Sequence, residues 1–597
     1  MKNVRNALFN PDHVVKNIRD LLLEDYNDAK NICMDPPSIC TLIDAQIKAS
    51  TKKYLSTVQI HDNLRKAALD KFRTVNAHIR DFDSAFVYPD ISLSDRDPNI
   101  GPRDRILVRA RFYARQILGV LDTERFFGLC RHSTGTSLGL KYIATDLSSK
   151  MSFPLSATER AAGIFQSYLL WDTDMRSAYQ YQYPDYKFSR KDMSPYQIVG
   201  YSRMTTVPKN DAIDRTIAVE PTVNMFLQQG LGRYISEKLA VFGVDIECQQ
   251  DRHRFEAYIS SVLTHKATID FSSASDCVGI RLLKYLLPPD WFYVVDAIRC
   301  DKVLIDDEIV DLASIATMGN ATTFPLETLV FYCIALACET LEHVKYGPDA
   351  LCEGLSYKST VFGDDCIVPT SVVSAFVDTC EAIGFIVNHD KSYMDEQQFR
   401  ESCGGDYFAG RNVRGIYFKA PRSQKSSVLK AWLYTQWNIV TKALISNVGD
   451  FHYAYYSKSI QYIASEISAH FKEIEIVPDH FPDDAGIKLF SDHSRLLPFF
   501  SECRSVLRIN KNNTIVFNYL SSVILDGNEK IDAFHYWKDR KDASLRENHD
   551  SFWLPRNTRP TRSFESLKKE GGYVILSGMD ISGELQGLLT EVVPLRL

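Results

Sequence analysis

The sequence predicts an α+β fold, with an antiparallel sheet layer carrying helices on one face. Three observations lead there. Between residues 266 and 418 the apolar patterns run strand, helices, β-hairpin, helix, strand, hairpin, an order suited to antiparallel neighbours joined by short connections. Two short apolar runs, Thr360 to Phe362 and Cys366 to Val368, flank Gly363-Asp364-Asp365, the pattern of a tight hairpin whose glycine takes positive φ. Long stretches before residue 100 and after residue 425 carry helical apolar spacing instead.

Composition sets the frame. A chain of 597 residues, 45% hydrophobic and 12% aromatic, can bury a large core divided into several subdomains. With 24% charged residues, globular order is expected rather than long disordered tracts. A net charge of −6 argues against wholesale coating of nucleic acid, so an enzyme acting on it must concentrate cations in a channel. The 13 Cys show no Cys-x-x-Cys and no zinc spacing, which predicts reduced, mostly buried thiols. The opening Met1-Lys2-Asn3-Val4-Arg5-Asn6 lacks a signal-peptide core, and the longest apolar run, Leu329 to Cys338, is too short to span a bilayer. A soluble protein is expected. No phosphate-cradling Gly-x-x-x-x-Gly-Lys loop occurs, which argues against a helicase.

Taken in order, residues 1 to about 100 read as helical, from the spacing in Val14 to Leu23 and Ile43 to Val58, and suggest no chemistry. Tyr88 to Pro102 reads as a connector. Arg103 to Arg115 follows as a helix with five Arg and one Asp; its basic rows suit either an RNA-facing surface or a merely solvated face. Extended segments around Thr205–Val207 and Thr216–Val219 flank a polar loop bearing Lys209 and Arg215. Two cations held over a cleft neutralise a triphosphate, although an exposed loop with incidental charges fits the same residues. Ala267 to Ile269 suits a buried strand that ends at Asp270, where small residues open a turn. A strand-end carboxylate presents a metal ligand, and Asp276 lies where it reaches a sugar hydroxyl or caps a helix.

Ser314 to Glu327 reads as a small-residue loop running into a core helix from Leu326 to Leu341. Gly319 there allows either close approach of a nucleic-acid backbone or a plain helix entry. At the hairpin, Asp364 and Asp365 set two like charges together, costly unless a divalent cation neutralises them. Oxygen ligands of this kind suit Mg²⁺ and phosphoryl chemistry. Asp306-Asp307 and Asp483-Asp484 read as ordinary turns, so the pair gains meaning only from its company. Ser371 to Ile383 is a helix ended by Gly384, Phe385 to Val387 a strand, and Phe399 to Phe418 a hairpin region. Beyond about 425 the chain reads mostly helical. The tail from Trp537 to Lys569 mixes Arg540, Arg546, Arg556, Arg559, Arg562 and Lys568 with Phe552, Trp553 and prolines; holding RNA or a partner and wrapping the surface are both open.

The ordered set carries more than any member. Lys209/Arg215, Asp270 with Asp276, Gly319 with Thr323, Asp364-Asp365, Lys391 and Phe399–Cys403 follow the order of the motifs of RNA-dependent RNA polymerases. The wording goes further. Thr206-Val-Pro-Lys-Asn210, Ala218-Val-Glu-Pro-Thr-Val-Asn-Met-Phe226, Leu286-Leu-Pro-Pro-Asp-Trp-Phe292, Ser314-x-x-x-Met-Gly-Asn320 and Phe399-Arg-Glu-Ser-Cys-Gly404 resemble the replicase β subunit of levivirus-type RNA bacteriophages, the Qβ group. The resemblance is strong from about 200 to 420 and fades outside it.

That resemblance implies a right-hand polymerase. The expected parts are an N-terminal helical extension (1–100), fingers (101–265 and 301–325), palm (266–300 and 326–425), thumb (426–535) and a C-terminal extension (536–597). It implies RNA-directed RNA synthesis from ribonucleoside triphosphates on an RNA template, started without a primer, in the cytoplasm of an infected bacterium. Two Mg²⁺ ions, replaceable by Mn²⁺, would sit on Asp270, Asp364 and Asp365. Lys209 and Arg215 would take the triphosphate; Asp276, with Asn320 and Thr323 nearby, would sense the 2′-hydroxyl, Gly319 belonging to the same nucleotide-binding set; Lys391 would be a candidate general acid. Host elongation factors Tu and Ts and a small-subunit ribosomal protein are the implied partners, with no membrane.

Two positions depart from the wider pattern. Phe362 replaces a common Tyr whose hydroxyl is not a ligand, and Glu327 stands where many RNA polymerases place Asn. A reverse transcriptase would share the carboxylates, but Asp276 argues for ribonucleotides. A metal-dependent nuclease would not need Lys209 and Arg215, and a non-catalytic RNA-binding scaffold would have no activity to lose.

Overall fold

A computed structural model describes residues 9–32, 54–55, 61–133, 135–140, 147–184, 193–209, 213–346, 358–394, 397–416, 418–421, 424–448, 457–478, 481–488, 503–505, 507–509, 515–523 and 572–580. They divide into two compact units: one from the described residues between 61 and 412, the other from those before 61 and after 412. In chain order the elements that matter are α1 (Pro11–Ile32), α2 (His61–Ala85) and α3 (Pro102–Leu118), then the hairpin β1 (Ser202–Pro208) and β2 (Asp214–Val219). Next come α4 (Thr222–Val241), α5 (Gln249–Leu263), β3 (Lys266–Ile269), β4 (Lys302–Ile305) and β5 (Glu308–Asp311). After α6 (Thr323–Tyr346) follow β6 (Thr360–Phe362), β7 (Asp365–Pro369), α7 (Val373–Ala382), β8 (Phe399–Ser402), β9 (Gly405–Phe408) and β10 (Arg411–Asn412). The chain continues through α8 (Ser426–Val448), α9 (Lys458–His470), β11 (Ile515–Val523) and β12 (Gly572–Asp580).

The larger unit is built on a three-stranded antiparallel sheet in the order β3-β7-β6. Its strands are rich in β-branched residues, which suit a pleated, packed surface, and all four positions of β3 are buried. Helix α6 lies against β6 and β7 and buries Leu326, Leu329, Val330, Phe331 and Ile334. Phe331 stacks on Phe271 at 4.4 Å and meets Phe385 at 4.6 Å, so aromatic packing locks the helix to the chain leaving β3. The same helix is the one among the described residues long and apolar enough to cross a membrane, and 72% of that stretch is buried inside the protein.

A second sheet runs β2-β1-β4-β5, parallel only between β1 and β4. Leu69 and Phe72 of α2 share a core with Met204, Val303, Ile305 and Leu312, so α2 covers this sheet. The antiparallel meander β8-β9-β10 packs on α5.

The arginine helix α3 differs from an RNA-facing surface. Arg109 pairs with Asp95, Arg105 donates to the Asp97 carbonyl at 3.4 Å, and Arg111 donates to the Ile91 carbonyl at 2.6 Å. Arg111 also lies over the Tyr285 ring, and Arg103 over Phe86. These side chains pin down the 88–102 connector, whose turns leave carbonyls that cations satisfy.

In the smaller unit, α1, α8 and α9 bury one core containing Ile18, Tyr26, Leu433, Trp437 and Ile463. Asp25 caps α9 by accepting from the Lys458 and Ser459 N–H groups at 2.8 and 3.0 Å. The sequence reading of a mostly helical region after 425 holds only to His470. Beyond it come strands, chief among them β11 and β12, paired antiparallel from Ile515↔Asp580 to Val523↔Gly572. Their β-branched and aromatic residues favour strands. Two other readings change. Tyr54–Leu55 is a short strand beside Phe418–Lys419 rather than helix, and Phe385–Val387 keeps only the bridge Phe271↔Val387. The basic tail from Trp537 to Lys569 lies outside the described residues.

Candidate active site

Strand register gathers the acids. Cys366 faces Ile269 across β7 and β3, so the next position out sets Asp270 beside Asp365. Gly363 and Asp364 form the turn between β6 and β7. Gly363 has φ +62, and a Cβ there would meet the Phe324 ring at 2.3 Å, so no other residue fits the turn. Helix α6 holds the bend from behind: Thr328 Oγ1 accepts the Gly363 N–H at 2.9 Å, and the Phe324 and Phe362 rings meet edge to face at 4.6 Å. Phe362 thus acts through its ring.

The acids are crowded and sheltered. Burial, then the Asp270 charge, raises the Asp364 carboxyl, while Arg215 and Lys391 act to lower it. Asp365 is pushed up to about 7 by burial and by its neighbours Asp364 and Asp270, against the Cys403 donors. Glu327 is buried, has one oxygen without a hydrogen-bond partner, and is raised well above its ordinary range by burial, Asp364, Asp276 and Asp365. Asp276, in the 3₁₀ turn Ala274–Cys277, is pushed up to about 7 by burial, with Lys71 of α2 acting to lower it. Each raised group reflects charges left short of counter-ions in a low-dielectric setting.

Local donors orient two of the acids. Asn388 donates to Asp270 Oδ2 at 2.6 Å, with Lys391 Nζ 3.7 Å from the same oxygen. The Cys403 N–H donates to Asp365 Oδ2 at 3.2 Å. Burial would lower the Lys391 ammonium, but Asp270, Glu401, Asp365 and Asp364 outweigh it and the net shift is upward. Among the described residues no three His, Cys, Asp or Glu side chains form a ready-made metal site. Asn388, Lys391 and Cys403 instead hold the carboxylates individually. A divalent cation nevertheless fits the donor set: hard oxygens, mutually repelling and partly desolvated.

The remaining expected residues divide. Arg215 lies on β2 opposite Val207, exposed and near enough to Asp364 to act on its charge. The Lys209 N–H closes the hairpin on the Ile213 carbonyl at 2.9 Å, and the loop tip 210–212 lies outside the described residues. Gly319, φ +110, is needed because a Cβ would lie 2.2 Å from the Ala218 carbonyl; the close backbone is the chain's own strand rather than RNA. Asn320 Oδ1 accepts from the Thr322 N–H and hydroxyl at 2.8 Å each, and Thr323 Oγ1 donates to the Thr317 carbonyl at 2.7 Å. Both are buried and their oxygens hold the loop together.

Several contributors carried no local signal. Lys71 sits in a segment that reads as plain helix, and Asn388 beside the noticed Lys391 has no motif of its own. Glu327 stood out only as a departure.

With this geometry in place, comparison with known proteins is direct. Residues 50–506 match the family model described as RNA replicase, beta-chain. The chain belongs to that family. Within the RNA replicase beta-chain family it is 32% identical over 324 residues to the RNA-directed RNA polymerase subunit beta of Enterobacteria phage SP, covering 53% of this chain and 51% of that one. It is 33% identical to the subunit of Escherichia virus Qbeta, covering 59% and 55%, and 33% identical to the beta chain of Escherichia phage MS2, covering 49% and 50%. The chain thus spans about half the length of these relatives. Among solved structures, the BmCPV RNA-dependent RNA polymerase aligns over 66% of this chain and 38% of that chain, at 11% identity and a TM-score of 0.37, too low to bear on the fold.

Proposed function

We propose that this replicase family member is the catalytic subunit of an RNA-directed RNA polymerase that copies a single-stranded RNA genome and starts without a primer. The observation that carries the reading is the β3–β7 register, which sets Asp270 beside Asp365 and next to Asp364 at the hairpin bend. The sheet β3-β7-β6 with α6 and α7 serves as the palm of a right hand, the regions 101–265 and 301–325 as fingers, and 426–535 as thumb. Asp270, Asp364 and Asp365 would hold Mg²⁺ or Mn²⁺, which would supply Lewis-acid stabilisation of the charge developing in nucleotidyl transfer.

The chain's own groups do the rest. Asn388 and Lys391 fix the Asp270 carboxylate, and the Cys403 N–H fixes that of Asp365. Arg215, with Lys209 at the loop end of the same hairpin, binds the triphosphate as a preorganised cation. Asp276, half-buried and near Lys71, accepts the ribose 2′-hydroxyl. Lys391, kept protonated by four carboxylates, carries the proton that pyrophosphate needs on leaving. RNA template and ribonucleoside triphosphates are the substrates; elongation factors Tu and Ts and a small-subunit ribosomal protein of a bacterial host complete the assembly, in the cytoplasm.

Labelled ribonucleotide incorporation on an RNA template with Mg²⁺ and host extract tests this, with wild type beside Asp364→Asn. The variant retains RNA binding and loses at least ~10³-fold in rate. Normal synthesis by the variant, or RNA shortening by the wild type, refutes the assignment.

A further inference from the structure

We propose that His253, outside every recognised motif, is a positioning residue that sets the Asp365 carboxylate. It sits on α5, which packs along β3, β6, β7, β8 and β9, and its side chain is fully buried. Nδ1 shares a 2.9 Å hydrogen bond with Ser402 Oγ. Ser402 ends β8, and the next residue, Cys403, turns to φ +48 and gives its N–H to Asp365. The imidazole also lies 6.2 Å, centroid to centroid, from Phe362, the residue paired with Asp365 across the hairpin. One ring is therefore bonded to the residue before Cys403 and lies beside the hairpin partner of the same acid.

The conformation at Cys403 is the reason a support is needed. A side-chain-bearing residue at positive φ is strained, costing about 1 kcal/mol or more, and persists only when its surroundings fix it. The Ser402–His253 bond fixes the residue just before that turn. His253 Nε2 has no hydrogen-bond partner. A neutral ring with Nδ1–H donating to Ser402 leaves only a lone pair unmet there, which costs less than an orphaned N–H. Burial favours that neutral ring. Nothing in the arrangement has His253 touching substrate; its effect passes through the Cys403 amide.

The proposal rests on the polymerase reading for its consequence, but its geometry is testable without it. In full-length protein, His253→Asn keeps a polar atom at the Nδ1 position, whereas His253→Gln places one at the Nε2 position. Amide hydrogen exchange at Cys403 and ribonucleotide incorporation are read for both, with melting temperatures alongside. Expected for His253→Gln are exchange at Cys403 about tenfold faster and kcat about tenfold lower, with KM for ribonucleotides within about twofold. His253→Asn restores both readouts, and adding Ser402→Ala to His253→Gln costs little more, because the two share one interaction. Unchanged exchange at Cys403 in His253→Gln, or equal losses in Asn and Gln variants that follow melting temperature, overturns the proposal. A wild type that incorporates no ribonucleotide sinks the polymerase reading alone, since the exchange comparison still decides the role of His253.

Discussion

The larger unit carries two concentrations of like charge, and it treats them in opposite ways. On α3 the cations are matched: Arg109 by Asp95, Arg105 and Arg111 by carbonyls of the connector, Arg103 and Arg111 by aromatic faces. At the β6–β7 bend the acids are under-matched, so that Asp364, Asp365, Asp276 and Glu327 are all shifted upward by burial, and all but Asp276 also by neighbouring carboxylates. Matched charge holds a fold together. Repelling charge held in place by strand register lowers stability, and such perturbed groups cluster at functional sites.

Substitutions on each side sharpen the contrast, beginning with the largest effect. Asp270→Asn loses at least ~10³-fold in incorporation rate while RNA binding, followed by filter retention, stays intact; loss of both together would mean that Asp270 is structural. Arg215→Ala, on the hairpin facing the acids, costs about 10- to 100-fold in kcat/KM for ribonucleotides in steady-state assays. Arg109→Ala should do the reverse, lowering unfolding stability by about 1–3 kcal/mol in urea titration, since its partner Asp95 is half-buried, with turnover per folded molecule unchanged. The smallest effect concerns pH. Asp276 rises from 3.8 to about 7 on folding, so the folded chain holds that proton longer, and the associated stability is present below pH 4 and lost as pH climbs towards 7. Asp276→Asn should therefore melt later than wild type at pH 8, by about 1–2 kcal/mol, with the difference gone near pH 4.

Much of this contrast was legible in the residues. The hairpin at Gly363, the strand ending at Asp270 and the cationic hairpin of Lys209 and Arg215 follow from local pattern, because each is decided by a few neighbouring side chains. What stayed hidden depends on tertiary placement. A sequence does not say that Arg109 meets Asp95, that Lys71 faces Asp276, or that Asn320 and Thr323 turn their oxygens inward to the loop. The strands after His470 were misread as helix, since short apolar runs there fit either period.

The central claim is that the acids at the bend are under-matched because a divalent cation completes them. Mn²⁺ binding to the full-length chain at pH 8, followed by electron paramagnetic resonance, tests it without any reference to turnover. Wild type should bind Mn²⁺ and release it to excess Mg²⁺, and Asp270→Asn combined with Asp364→Asn should weaken that binding by at least ~10-fold. Undiminished Mn²⁺ affinity in the double variant would contradict the account.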